Sequence, residues 1–130
     1  MKRVTGIGGF FFRSKDPAAS KTWYRDRLGI PVGDEGHAMF SWRESDEPDR
    51  TGATIWAPFE AGTDYFGESG QQWMINYRVD DLDALLKQLQ REGVEIVSHR
   101  EEHDFGKFAW IVDPDGNRVE LWEPPREKAP

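Results

Sequence analysis

With 130 residues, 37% of them hydrophobic and 32% charged, the chain has room for one packed domain, and its 6 Trp and 8 Phe argue against disorder. A formal net charge of −7 excludes the clustered basic surface that nucleic acid requires, and 0 Cys excludes disulfides, thiolate metal sites and cysteine nucleophiles. No run approaches the ~20 apolar residues of a membrane span, and Met1-Lys2-Arg3 precedes no apolar signal core, so the expectation is a soluble, cytoplasmic protein with no membrane contact.

Val4 to Phe12 reads as a phenylalanine-rich strand. Asp16 follows where a helix N-cap belongs, and Pro17 sits at the first helical position, where its missing N–H does no harm. Ala19, Trp23 and Leu28 form a helical stripe, and Gly29 supplies the left-handed residue that ends it. Ile30–Val32, His37–Trp42 and Thr51–Pro58 read as short strands, separated by an acidic stretch (Glu44, Asp46, Glu47, Asp49) that reads as an exposed loop. Glu60 to Gln72, interrupted by glycines, reads as a linker.

The same order then recurs. Trp73 to Val79 reads as a strand and Asp81 as an N-cap. Leu82, Leu85, Leu86 and Leu89 recur at helical spacing, and Gly93 stops the helix. Val94–Val97, Phe105–Val112 and Asn117–Trp122 read as strands, the last two joined by a tight turn at Asp113-Pro114-Asp115-Gly116. Phe40-Ser41-Trp42 answers Phe108-Ala109-Trp110, and Trp56-Ala57-Pro58 answers Trp122-Glu123-Pro124. The chain is therefore read as one α+β domain over 1–130: unit one about 4–59, linker about 60–72, unit two about 73–124 and a tail at 125–130. Gly6-Ile7-Gly8-Gly9 lies inside a strand rather than ahead of a helix, which removes a dinucleotide-binding reading.

Two βαβββ units, the helix end Trp-Tyr-Arg-Asp-Arg-Leu-Gly, the run Arg-Val-Asp-Asp-Leu-Asp-Ala-Leu and the run Asp-Pro-Asp-Gly-Asn-Arg-Val-Glu-Leu-Trp-Glu-Pro together resemble the vicinal oxygen chelate superfamily. That group includes glyoxalase I, extradiol dioxygenases and bleomycin-resistance proteins. The resemblance covers about Val4 to Pro124. It implies two tandem units whose curled mixed sheet forms a cup-shaped cleft, and it suggests a homodimer. It also implies four metal ligands from the first and last strands of each unit. The matching positions here are Gly9, Thr54, Met74 and Glu120, and only Glu120 is a strong donor for a hard divalent ion. No cofactor is therefore expected, and the electrophile of glyoxalase-type and dioxygenase-type chemistry goes with the metal.

Strand alternation then assigns faces, because neighbours in a strand point to opposite sides. If Gly9 faces the cup, so do Phe11 and Arg13. Met74, Asn76 and Arg78 follow from the second unit, with Thr54, Trp56, Glu120 and Trp122 from the last strands and Trp42 and Trp110 nearby. Such an aromatic cleft with a few polar groups suits a flat organic ligand, although large rings equally serve as core or interface. Glu120 has three open roles: a carboxylate neutralised by Arg13 or Arg78, an anchor for a cationic or hydroxylated ligand, or a general base. His37, His99 and His103 are unassigned. His99, Glu101 and His103 alternate, so a strand would put all three on one side, as a solvated edge or as a different metal site. Three functions stay open: a metal-free binding protein for a small aromatic compound, a lyase, isomerase or dioxygenase-type enzyme using Glu120, and a structural or regulatory partner protein.

Overall fold

A computed structural model describes residues 3–125. All of the tail expected at 125–130 except Pro125 lies outside these residues. In chain order the elements are β1 (Val4–Ser14), α1 (Pro17–Leu28), β2 (Ala38–Arg43), β3 (Thr51–Glu60), β4 (Trp73–Val79), α2 (Leu82–Arg91), β5 (Ile96–His103), β6 (Gly106–Val112) and β7 (Arg118–Glu123). The strands form one mixed sheet in the order β2-β3-β1-β4-β7-β6-β5, so the fold is α+β with a curled, open sheet.

Both helices start as their sequences dictate. Asp16 accepts the Ala19 N–H at 3.1 Å and Asp81 accepts the Ala84 N–H at 3.0 Å, each satisfying a donor that has no partner within the helix. Gly29 ends α1 at φ 69°, a conformation that costs glycine little and other residues more. Leu82 and Leu85 of α2 pack with Val79, Ala109 and Leu121 in one core cluster. Each of the leucine and valine side chains contributes roughly 1.5–3 kcal/mol on burial. By contrast, α1 has no fully buried residue; it rests on β1 and β3 through Tyr24, whose ring meets those of Phe12 and Trp56.

The two halves meet in the middle of the sheet, where β1 and β4 pair antiparallel. β1 pairs β3 in parallel on one side and β4 pairs β7 in parallel on the other, which is the expected pseudo-symmetry. The match is not complete. Ile30–Val32, expected as a strand, is irregular: Pro31 has no N–H to give a ladder, and the Val32 N–H closes a tight turn on the Ile30 carbonyl at 2.8 Å. Unit one thus lacks a counterpart of β5, and β2 is an open edge. The acidic loop also differs from expectation at one residue. Glu44 is buried and takes the Arg50 Nε at 3.0 Å, while the same guanidinium reaches Asp80 at 3.0 Å, pinning the loop to unit two.

The linker belongs to the core. Phe66 is fully buried and packs with Phe11, Met74 and Trp110 in a second cluster. Arg13 holds the segment in place: its guanidinium donates to the carbonyls of Gln71, Ala61 and Thr63 at 2.7–2.8 Å and lies 5.0 Å from the centre of the Phe66 ring. Arg13 therefore shares the face of Phe11, as alternation expects, but is spent on the joining segment and does not neutralise Glu120.

Candidate functional site

The concave face of the sheet encloses a cleft of about 570 Å³ that takes residues from both halves of one chain. Its floor is Gly8, Phe11, Ile55, Asn76 and Glu120; its walls are Tyr65, Phe108 and Trp122; Glu35, His37, Glu101, His103 and Phe105 complete the lining.

Glu120 is the chemical centre. It projects from β7, is 1% exposed, and is surrounded by donors. Tyr65 donates its hydroxyl to Oε2, the Trp110 indole N–H donates to the same oxygen at 2.9 Å, and the Asn76 amide donates to Oε1 at 2.6 Å. Burial pushes the Glu120 carboxyl above the usual carboxylate range, and these three hydrogen bonds oppose that rise by favouring the charged form. Tyr65 is pushed well above the ordinary phenol value, first by burial and then by the Glu120 charge, so it stays protonated and keeps donating.

Asn76 is 2% exposed, and among the described residues its Oδ1 has no hydrogen-bond partner. This oxygen sits under the space at Gly8, where an added Cβ would collide with it. A bulge in the β1–β4 pairing between Ile7 and Gly9 is what turns Gly8 as well as Gly9 to this side. Glycine is needed here because Asn76 Oδ1, the Arg78 stem and the Trp122 ring already fill the place a Cβ would take.

Several predicted site residues lie elsewhere. Aligning Trp56 with Trp122 put Thr54 opposite Glu120, but the strand is one residue out of that register, and a slip of one reverses every face. It is Ile55 that lines the cleft. Trp56 packs on the helix side against Phe12 and Tyr24, with ring centres 5.3 and 5.0 Å away. Thr54 instead ties strands together, donating to the Ile7 carbonyl at 2.6 Å and accepting the Trp42 indole N–H at 2.9 Å. Arg78 stands between the Trp42 and Trp122 rings, 5.2 and 5.8 Å from their centres, rather than beside Glu120. Met74 is buried among Phe11, Phe66 and Trp110, and Trp110 acts through its bond to Glu120.

The period of two at His99, Glu101 and His103 holds. The Glu101 carboxylate sits between the two imidazoles, 2.8 Å from His103 Nε2 and 3.0 Å from His99 Nε2. Hydrogen bonding to His103 and then His99 lowers the Glu101 carboxyl below the usual range. His103 stacks on Phe105 and His99 on Trp110, which fixes both rings at the edge of the cleft. Across from them His37 lies 3.7 Å from Glu35. Sequence reasoning missed Tyr65 because it lies in the segment read as linker; two adjacent rings at Tyr65-Phe66 within a glycine-interrupted run are the signal that marks it.

The superfamily's four-ligand metal site does not fit these residues. Gly9, Ile55 and Met74 offer no hard donor, and Glu120 is ringed by N–H and O–H groups that point protons, not lone pairs, at the position a cation would take. Among the described residues no three His, Asp or Glu side chains converge as a metal-binding group.

The model of the Glyoxalase/Bleomycin resistance protein/Dioxygenase superfamily matches residues 6–121. The chain belongs to this superfamily. No curated protein matches it in sequence. Among solved structures it is similar to methylmalonyl-CoA epimerase from Mycobacterium tuberculosis (TM-score 0.62, 21% identity, 97% of this chain and 92% of that one). It is also similar to Streptomyces coelicolor methylmalonyl-CoA epimerase in complex with 2-nitronate-propionyl-CoA (TM-score 0.68, 19% identity, 95% of this chain and 99% of that one). A third is the Mn(II)-bound glyoxalase from Novosphingobium aromaticivorans (TM-score 0.56, 23% identity), of which this chain spans 44% while itself being covered over 99%. At these identities the likeness concerns the superfamily fold. Among the described residues no helix is long and apolar enough to cross a membrane.

Proposed function

We propose that this superfamily member captures a small, flat organic molecule in its aromatic cup and does so without the superfamily's metal. The observation that carries this reading is a cleft lined by Phe11, Tyr65, Phe105, Phe108 and Trp122 with the buried Glu120 carboxylate on its floor. The Phe108 and Trp122 rings lie nearly parallel, with 6° between their planes and centres 6.0 Å apart, and give one wall a flat surface suited to a ring. The superfamily resemblance supports a homodimer as the assembled form.

Tryptophan fluorescence against a panel of aromatic compounds tests the reading. Trp122 lines the cleft and Trp110 touches its carboxylate, so saturable quenching is expected, and it is expected to vanish in Trp122→Ala. Titration with Mn²⁺, Ni²⁺ and Zn²⁺ runs beside it; tight stoichiometric uptake of any of them reverses the metal-free assignment. A second reading, a lyase or isomerase with Glu120 as general acid/base, is favoured by one observation: Glu120 is a carboxyl on the floor of the cleft whose burial favours its protonated form. A turnover whose pH profile disappears in Glu120→Gln, with ligand still bound, supports the enzyme over the binding protein.

A further inference from the structure

The two helices leave the middle of the sheet's outer face exposed. α1 rests on β1 and β3, and α2 packs on β6 and β7 through Ala109 and Leu121. Between them, Ile7, Phe10 and Phe12 of β1 stand beside Tyr77, Ile75 and Trp73 of β4. About half of the surface of Ile7 and of Trp73 is exposed, and more than a third of Phe10. Trp23 adds to this patch from α1. Lys21 reaches over Gly36, on the β2 side of that helix, and Trp23 follows two residues on, about 200° further round. Its half-exposed ring is therefore on the flank toward β4. α1 is also under-packed: it has 12 residues and none is buried, whereas a helix of that length depends on tertiary packing.

We propose that this patch is the interface with a second copy of the chain, in which α1 lies antiparallel to the partner's α1 and each helix covers the exposed middle strands of the other copy. The cleft opens on the opposite face of the sheet, so the proposal goes beyond the capture reading and gives a surface to the homodimer. The area fits. A tryptophan or phenylalanine offers roughly 150–250 Å², so Ile7, Phe10, Trp23 and Trp73 together expose on the order of 400 Å² of apolar side chain. A standard interface takes about 800 Å² from each partner, a little over half of it apolar. The side chains are also self-complementary. Asp16, Ala19, Trp23 and Arg27 line one groove along α1. A two-fold axis near the middle of the helix sets Asp16 against the partner's Arg27 at both ends, and Trp23 beside the partner's small Ala19. A parallel pairing would instead bring like charges together at each end. Pairing through the open edge of β2 would leave the patch and α1 uncovered.

Sedimentation equilibrium of the full chain over a wide concentration range tests this, with a dimer expected for the native protein. Trp23→Asp is expected to raise the dimer dissociation constant at least about a hundredfold, the size of losing a central aromatic anchor. Arg27→Glu reverses both end pairs, and is expected to raise it about tenfold, by a factor that shrinks with added salt. Met39→Glu, on the edge strand β2, is expected to leave it unchanged. At dilutions where the native chain is itself monomeric, thermal melts of the three variants are expected to match it, because each replaced residue is exposed. A native chain that stays monomeric overturns both the homodimer and this surface. A dimer that Met39→Glu dissociates, and that Trp23→Asp and Arg27→Glu leave intact, overturns the surface alone.

Discussion

The Tyr65 hydroxyl donates to Glu120 Oε2, so a residue of the segment joining the two halves completes the polar centre of the cup. Tyr65 reaches it by stacking on Phe59 (5.3 Å, 19°) and meeting the Trp110 ring edge-on (5.9 Å, 86°), while Arg13 fastens the carbonyls on either side of it. The joining segment is thus a structural part of the site.

Tyr65→Phe keeps the ring packing and removes one donor from a buried carboxylate. The expected cost is about 1–3 kcal/mol near neutral pH, where Glu120 needs its donors most. Because the lost bond favours the ionised form, the Glu120 carboxyl rises further in the variant. Urea denaturation at neutral and mildly acidic pH checks this: the deficit relative to the native chain is expected to shrink on acidification. An equal deficit at both pH values contradicts it.

Glu120→Gln is expected to stabilise the protein at neutral pH. The folded carboxyl lies above its unfolded value of 4.5, so the folded state binds the proton more tightly. Its contribution to stability is fully present below the unfolded value and is lost as pH rises through the folded one. Glutamine has no charge to desolvate: its oxygen accepts from Tyr65 and Trp110, and its NH₂ meets Asn76 after that amide turns over. The other groups that face Glu120 (Tyr65, Trp110 and, through its charge, Glu101) are unchanged. Thermal melts of the two proteins are therefore expected to converge at low pH and diverge upward from there, by about 1.4 kcal/mol for each unit of the native shift. A native chain that is the more stable above neutrality refutes this.

How far these features were legible in the sequence differs from residue to residue. The aspartate caps, the leucine stripe of α2 and the hairpin at Asp113 are local, so spacing alone located them. Phe11, Asn76, Glu120 and Trp122 were placed on the cleft because strand alternation carries from a correct anchor. Thr54 and Trp56 were misplaced because the paired tryptophans suggested a register one residue off, and a period of two forgives no slip. Gly8 was missed because the bulge that re-aims it follows from pairing with β4 rather than from β1 itself. Arg13 and Tyr65 were hidden for a similar reason: their partners are set by how the joining segment folds back, a long-range fact with no periodic trace.

Trp56 and Trp122 are expected to separate stability from binding. Trp56 is 9% exposed and wedged between Phe12 and Tyr24, so Trp56→Ala opens a cavity under α1 and is expected to cost about 3–5 kcal/mol. Ligand quenching of the remaining tryptophans is expected to persist under conditions where the variant is folded. Trp122→Ala removes a cleft wall that is half-buried, so binding is expected to fall before stability does. Denaturation midpoints and ligand titrations on both variants decide it; if Trp56→Ala abolishes binding in folded protein, the two faces have been assigned wrongly.

Arg13 offers the sharpest check that the joining segment organises the site. Its guanidinium satisfies three backbone carbonyls at once, a task suited to a planar fork and beyond a single ammonium. Arg13→Lys is therefore expected to behave much like Arg13→Ala, each losing about 1–3 kcal/mol from carbonyls left unpaired. Hydrogen exchange is expected to quicken across 61–72 in both, with the far core around Leu82 and Leu121 unaffected. If Arg13 acts by presenting Tyr65 to Glu120, then Arg13→Ala combined with Tyr65→Phe costs less than the two changes taken separately, because the second removes a contact the first has already loosened. Strict additivity would show that the segment is held for its own sake and that the hydroxyl finds Glu120 without it.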